Sequence, residues 1–232
     1  MKRGAVLVFA RRPELGRVKT RLDPHIGEKL TLSLYRAFLA DTLKAARLSG
    51  ARVILAHTPG PSFPEQRLAD ITYEQRGKTF GERFDYSLAH AAQLLPKTRV
   101  ILIGTDTPQL NPTLLRRALE TLEDYDAVIG PNENGGFYLL GFSRPPIPVA
   151  EVFTHSPSEE PRELRRILSR AKLITALLEA QFDVDLLEDL QKLSRLMETL
   201  EGYDADWIPK QTRDVLRSEL VMSITIPKER DR

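Results

Sequence analysis

The chain has 232 residues, 41% hydrophobic and 28% charged, with a net charge of +2. That balance suits a globular domain with a real core, and it excludes a disordered chain or a bulk polycation built for nucleic acid. Cysteine is absent, which excludes disulfides, thiolate metal sites and a cysteine nucleophile. Met1-Lys2-Arg3-Gly4 leads straight into an apolar run with no small-residue cleavage site, and no apolar stretch nears the ~18 residues that span a bilayer. A cytoplasmic protein with no membrane partner is expected.

The first predicted strand is Ala5–Ala10. A basic loop follows it. Residues 1–22 hold Lys2, Arg3, Arg11, Arg12, Arg17, Lys19 and Arg21 against Glu14 alone, so the rest of the chain is net negative. Pro13 and Gly16 force a turn, and Arg11, Arg17, Lys19 and Arg21 are then presented beyond a strand end. Arginine forks and a lysine point charge are suited to phosphate oxygens. A solvated basic loop is the competing reading, and no Gly-Lys-Ser/Thr run marks a Walker loop. Periodic apolar residues Leu34, Tyr35, Phe38, Leu39 and Leu43 predict a helix over 27–48. A strand over Arg52–His57 comes next. The polar loop from Arg76 through Gly77 to Arg83 precedes a helix over 80–95, and its exposed amides are suited to an anion or a ribose.

The run 99–104 is apolar enough for a strand buried on both faces. It ends in Gly104-Thr105-Asp106-Thr107-Pro108, which sets Asp106 at a strand's carboxyl end. There it can hold a divalent cation against phosphates, or simply form the turn before Pro108. Asn111 and Pro112 open a helix over 112–122. Strands over 127–130 and Phe137–Phe142 flank Asn134-Gly135-Gly136, which permits positive φ and close approach of a ligand, or an ordinary turn. The run Pro145-Pro146-Ile147-Pro148 is stiff and is the best candidate for an internal boundary. His155, in a polar loop, is the one histidine of interest for a site. In Phe182-Asp183-Val184-Asp185 the carboxylates alternate with apolar residues, so an extended segment sets both on one side. Asp185 also reads as the N-cap of a following helix, with Glu188 three residues on.

Alternating strands and helices predict an α/β fold, a single-domain, mostly parallel mixed sheet with helices on both faces. The domain is expected over residues 1–222, with a frayed tail at 223–232. Ligands in such sheets bind beyond the carboxyl ends of the strands, where these polar clusters fall.

Four segments in order resemble one family: Phe9-x-Arg11-x-Pro13-x-x-Gly16-x-Val18-Lys19-Thr20-Arg21, Gly104-Thr105-Asp106-Thr107-Pro108, Asn134-Gly135-Gly136-Phe137-Tyr138, and Asp183-Val184-Asp185. The chain resembles the bacterial glycosyltransferase-like family of nucleotide-diphospho-sugar transferases, of the A-type glycosyltransferase (GT-A) fold. It is more distantly similar to phospholactate guanylyltransferase and the molybdenum-cofactor nucleotidyltransferases. The resemblance implies a nucleotide-dependent transferase whose partner is a nucleotide or nucleotide sugar, with Mg²⁺ or Mn²⁺ held by Asp106 and Asp185. It implies Lys19 beside them as a third catalytic group. Phosphates would lie on Arg11, Arg17, Lys19, Arg21, Arg76 and Gly77, and the acceptor near Asn134, Gly135, Gly136 and His155. Sugar transfer is the first reading and nucleotidyl transfer with pyrophosphate release the second. A non-catalytic nucleotide-binding protein is the third. The chain departs from the family pattern at Asn134, where relatives have Asp, at Thr154-His155-Ser156-Pro157 in place of a Trp-containing segment, and at Leu186-Leu187 after Asp185.

Overall fold

The computed structural model describes residues 4–200 and 205–217. The tail expected at 223–232 lies outside the described residues. In chain order the strands are β1 (Ala5–Ala10), β2 (Arg52–His57), β3 (Ile71–Glu74), β4 (Val100–Ile103), β5 (Ala127–Pro131), β6 (Phe137–Phe142) and β7 (Thr175–Leu177). The helices are α1 (Asp23–Ile26), α2 (Glu28–Leu48), α3 (Phe80–Leu94), α4 (Pro112–Thr121), α5 (Glu160–Arg170), α6 (Leu187–Thr199) and α7 (Lys210–Leu216). Short 3₁₀ turns lie at Pro64–Leu68 and Ala150–Thr154. No helix among the described residues is long and apolar enough to cross a membrane.

The strands form one sheet in the order β3-β2-β1-β4-β6-β5-β7. All pairings are parallel except those that β6 makes with β4 and β5. The chain is therefore the expected single α/β domain with a mostly parallel mixed sheet. Successive strand residues point to opposite faces, so the sheet separates two cores. Val6 and Val8 of β1 join Leu39 and Leu43 of α2 and Leu115 and Leu119 of α4 on one face. Ala5 and Leu7 join Phe84 and Leu88 of α3 and Leu164 and Leu168 of α5 on the other. A third cluster gathers α1, α2, α6 and α7 around Phe38, Leu190 and Leu193.

Two expectations are corrected. Residues 145–148 do not mark a boundary. Ile147 and Val149 pack into the same core as β1 and α3, and Asp85 of α3 accepts hydrogen bonds from the amides of Val149 (2.8 Å) and Ala150 (3.0 Å). The cap of α6 is Leu186 rather than Asp185. Asp189, not Glu188, folds back to accept from the amides of Leu186 (2.8 Å) and Asp185 (3.0 Å).

Candidate active site

A cleft of about 850 Å³ opens beyond the carboxyl ends of β1 and β4. Its charged end is assembled from three distant segments. β1 delivers the loop with Arg11, Arg17, Lys19 and Arg21, all of which line the cleft. β4 delivers Gly104-Thr105-Asp106. The segment 182–185 returns to the same edge: the Val184 amide donates to the Asp106 carbonyl (2.7 Å), and the Gln109 side-chain amide donates to the Phe182 carbonyl (2.7 Å). Phe182 and Val184 are buried in the third core cluster. Period-two alternation then turns Asp183 and Asp185 into the cleft.

Lys19 stands at the centre. Its side chain is only 5% exposed, and its ammonium pairs with Asp106 and, at 2.8 Å, with Asp185. Burial pushes its pKa down, but the two carboxylates outweigh that and hold it above the ordinary value. Burial opposes ionisation of Asp185 too, yet Lys19, aided by Arg21, holds its pKa below the usual range. Lys19 has φ +48°, in the left-handed region that side chains rarely adopt. Such strain persists only where surrounding structure over-determines it, and it clusters at functional sites. Asp183 is the most perturbed carboxylate. Its oxygens accept from Thr107 Oγ1 (2.7 Å) and the Asn132 side-chain amide (2.5 Å). Burial, reinforced by the negative charge of Asp106, pushes its pKa up to about 6.

The base of the charged loop is fixed by buried polar groups. The Tyr35 hydroxyl donates to the Arg11 carbonyl (2.8 Å), and the Gln75 amide donates to the carbonyls of Ala10 and Ala56 (2.9 Å each). At the other end of the cleft the lining is aromatic. Phe80 and Phe153 meet edge to face with centroids 4.8 Å apart, and Phe9, Phe84 and Phe137 complete the wall.

Four expected site residues lie off the lining: Arg76, Gly77, Asn134 and His155. Arg76 stacks over the Tyr86 ring. The Lys78 and Thr79 amides beside Gly77 are already taken by Glu82, the capping-box residue of α3, so this loop has no spare donors there for an anion. His155 faces the Glu151 carbonyl at an exposed turn. Gly135 and Gly136 do line the cleft, but the asparagine beside them is Asn132, not Asn134. A Cβ on Gly135, at φ +96°, would meet the Pro157 carbonyl oxygen at 2.6 Å, so glycine is what lets this loop seat against residues 156–160. The residues missed in the sequence are Asn132, Tyr35, Gln75, the aromatic wall and Glu160. Gln75 follows an edge strand that carries little apolar signal, and Glu160 stands at the start of α5.

The model of a family described as "Uncharacterized protein conserved in bacteria (DUF2064)" matches residues 39–158. The chain belongs to that family. Phosphoenolpyruvate guanylyltransferase from Streptomyces avermitilis is 30% identical over 122 residues, which are 51% of this chain and 56% of that protein. The chain thus spans about half the length of the curated relative it matches. A crystal structure from Desulfovibrio desulfuricans G20, described provisionally as a nucleotide-diphospho-sugar transferase, is 28% identical. It covers 97% of this chain and 99% of its own, with a TM-score of 0.77. A cytidylyltransferase from Leptospira borgpetersenii superposes with a TM-score of 0.52 at 13% identity, over 93% of this chain and 94% of its own, and shares the fold. These relatives are described as transferases, and the fold is of the nucleotidyl- and nucleotide-sugar-transferase type.

Proposed function

We propose that this protein is a nucleotide-dependent transferase that moves a sugar from a nucleotide-diphospho-sugar to an acceptor with the help of a divalent cation. The observation that carries the reading is Lys19, buried on a left-handed backbone between Asp106 and Asp185 at the ligand edge of the sheet.

The residues suit a hard cation. Asp106 and Asp185 grip one ammonium, so a position for positive charge is built between them. Among the described residues no three metal-ligating side chains form a closed site. That suits Mg²⁺ or Mn²⁺ of the kind bound by one or two carboxylates plus substrate phosphates, rather than by an all-protein cage. When bound, the ion would supply Lewis-acid neutralisation of phosphate charge.

The chain's own residues do the rest. Arg11, Arg17 and Arg21 bind the donor's phosphate oxygens, with charge-assisted bonds that outweigh neutral ones. Lys19 adds a positive charge that needs no reorganisation as the donor leaves. Asp183, held by Thr107 and Asn132, keeps the segment 182–185 in register with Asp106. In the transfer the bond from the anomeric carbon to the diphosphate oxygen breaks, and its electron pair departs with the nucleoside diphosphate. The acceptor oxygen forms the new bond, and its proton leaves to solvent. Charge therefore grows on the leaving diphosphate, where the cations are gathered.

A second reading is nucleotidyl transfer, favoured by the guanylyltransferase relative. Incubation with labelled nucleoside triphosphates and labelled nucleotide sugars separates the two. Sugar transfer yields a nucleoside diphosphate; nucleotidyl transfer yields pyrophosphate. Binding without either product would refute both.

A further inference from the structure

The aromatic part of the cleft lining carries a chemical signature of its own. Glu160 lines it, partly buried at the first turn of α5. A Cβ built on Gly136 would lie 3.3 Å from Glu160 Oε2 and 3.9 Å from the side-chain nitrogen of Asn132, which binds Asp183. Glu160 is thus one glycine away from the group that adjoins the charged cluster. Among the described residues its carboxylate has no hydrogen-bond or ion-pair partner, and burial alone acts on its pKa, raising it, with no cation in opposition. Arg83, the cation that α3 brings to the lining, donates one terminal N–H to the Lys78 carbonyl at 3.2 Å, and its buried Nε has no partner among the described residues. The neighbouring surface is the ring wall, with Phe137 and Phe153 5.8 Å apart. Aromatic rings offer an apolar surface on which a carbon skeleton can rest.

We propose that Glu160 selects the acceptor: it receives a hydrogen bond from a hydroxyl or ammonium group of a molecule whose carbon skeleton rests on Phe137 and Phe153. The proposal rests on the transferase reading of the cleft. The guanylyltransferase relative's named substrate, phosphoenolpyruvate, carries no ammonium and so serves as the comparison probe.

The test uses the full chain loaded with Mn²⁺ and an equimolar mixture of ADP, GDP, CDP and UDP, which fills the charged end whatever the base. Two probes are titrated by calorimetry, D-glucosamine and phosphoenolpyruvate, into wild type and Glu160→Gln. Wild type is expected to prefer glucosamine. Loss of a charge-assisted bond in Glu160→Gln should move the ratio of the two affinities at least about tenfold toward phosphoenolpyruvate, while nucleoside diphosphate affinity stays within about twofold. An unchanged ratio, including binding of neither probe to either protein, overturns the proposal. Failure of the donor reading shows separately, as no nucleoside diphosphate binding by wild type, and the ratio is then read on the unloaded chain.

Discussion

At the charged end of the cleft, Lys19, Asp106, Asp183 and Asp185 come from three segments and are tied by bonds of long sequence separation: Lys19 to Asp185, Val184 to Asp106, Thr107 and Asn132 to Asp183. At the aromatic end, Glu160 has no partner among the described residues and the rings rest on one another. A group used on every turnover with the same phosphates gains from being held in advance, because no reorganisation remains for the reaction step. A group that meets one acceptor in one protein and another in a relative needs only the right chemistry on a stable wall. On the proposed reading, donor handling is fixed by the fold's connections, whereas acceptor choice is set by a few local side chains.

The strongest challenge to that contrast is Lys19→Ala. Turnover should fall on the order of 100-fold, as when one preorganised donor to developing charge is lost. The same variant should bind Mn²⁺ more tightly than wild type when no nucleotide is present, because Asp106 and Asp185 no longer share an ammonium. Manganese paramagnetic resonance reads this directly, and equal affinity would mean that the ammonium and the ion do not compete.

A smaller effect is expected from the exposed arginines. Arg17→Ala and Arg21→Ala should each weaken nucleoside diphosphate binding by about tenfold at low ionic strength, and by less at 0.15 M salt, where the screening length is ~8 Å. Lys19→Ala should show much less salt dependence, since its side chain is buried. Identical salt slopes for the three would erase the distinction between held and solvated cations.

The smallest effect separates catalysis from capping along four residues. Asp189→Ala should cost about 1 kcal/mol in urea denaturation, because Asp189 is the residue that closes the start of α6. Asp185→Asn should lower turnover, and should lower the urea midpoint as well, because it removes a charge paired with the buried Lys19. Full turnover in Asp185→Asn would contradict a part for Asp185 in the reaction.

The fold was legible where burial was complete. β1, β2, β4 and β6 are apolar runs because both of their faces are covered, and such runs announce themselves. β3 and β7 lie at the two edges of the sheet, are four and three residues long, and alternate or expose their side chains, so they carried little signal. At the site, the basic loop, Asp106 and the alternation of Asp183 with Asp185 could be read from residue order. Their convergence could not, because it depends on pairing between 105–109 and 182–184 across more than seventy residues of chain. Arg76 and Gly77 lie off the lining, and beside them a capping box consumes the Lys78 and Thr79 amides, which look free in one dimension. Glu160 escaped because an acidic residue at the first turn of a helix is ordinary.

The central claim is that the charged end holds a donor diphosphate through a cation on Asp106. Calorimetric titration of ADP, GDP, CDP and UDP, each with and without Mn²⁺, into wild type and Asp106→Asn tests it most directly. At least one nucleotide should bind wild type in a metal-dependent way, with Asp106→Asn losing on the order of 100-fold in affinity and keeping its melting temperature. Metal-independent binding that Asp106→Asn retains in full, or no binding to wild type at all, would contradict the account.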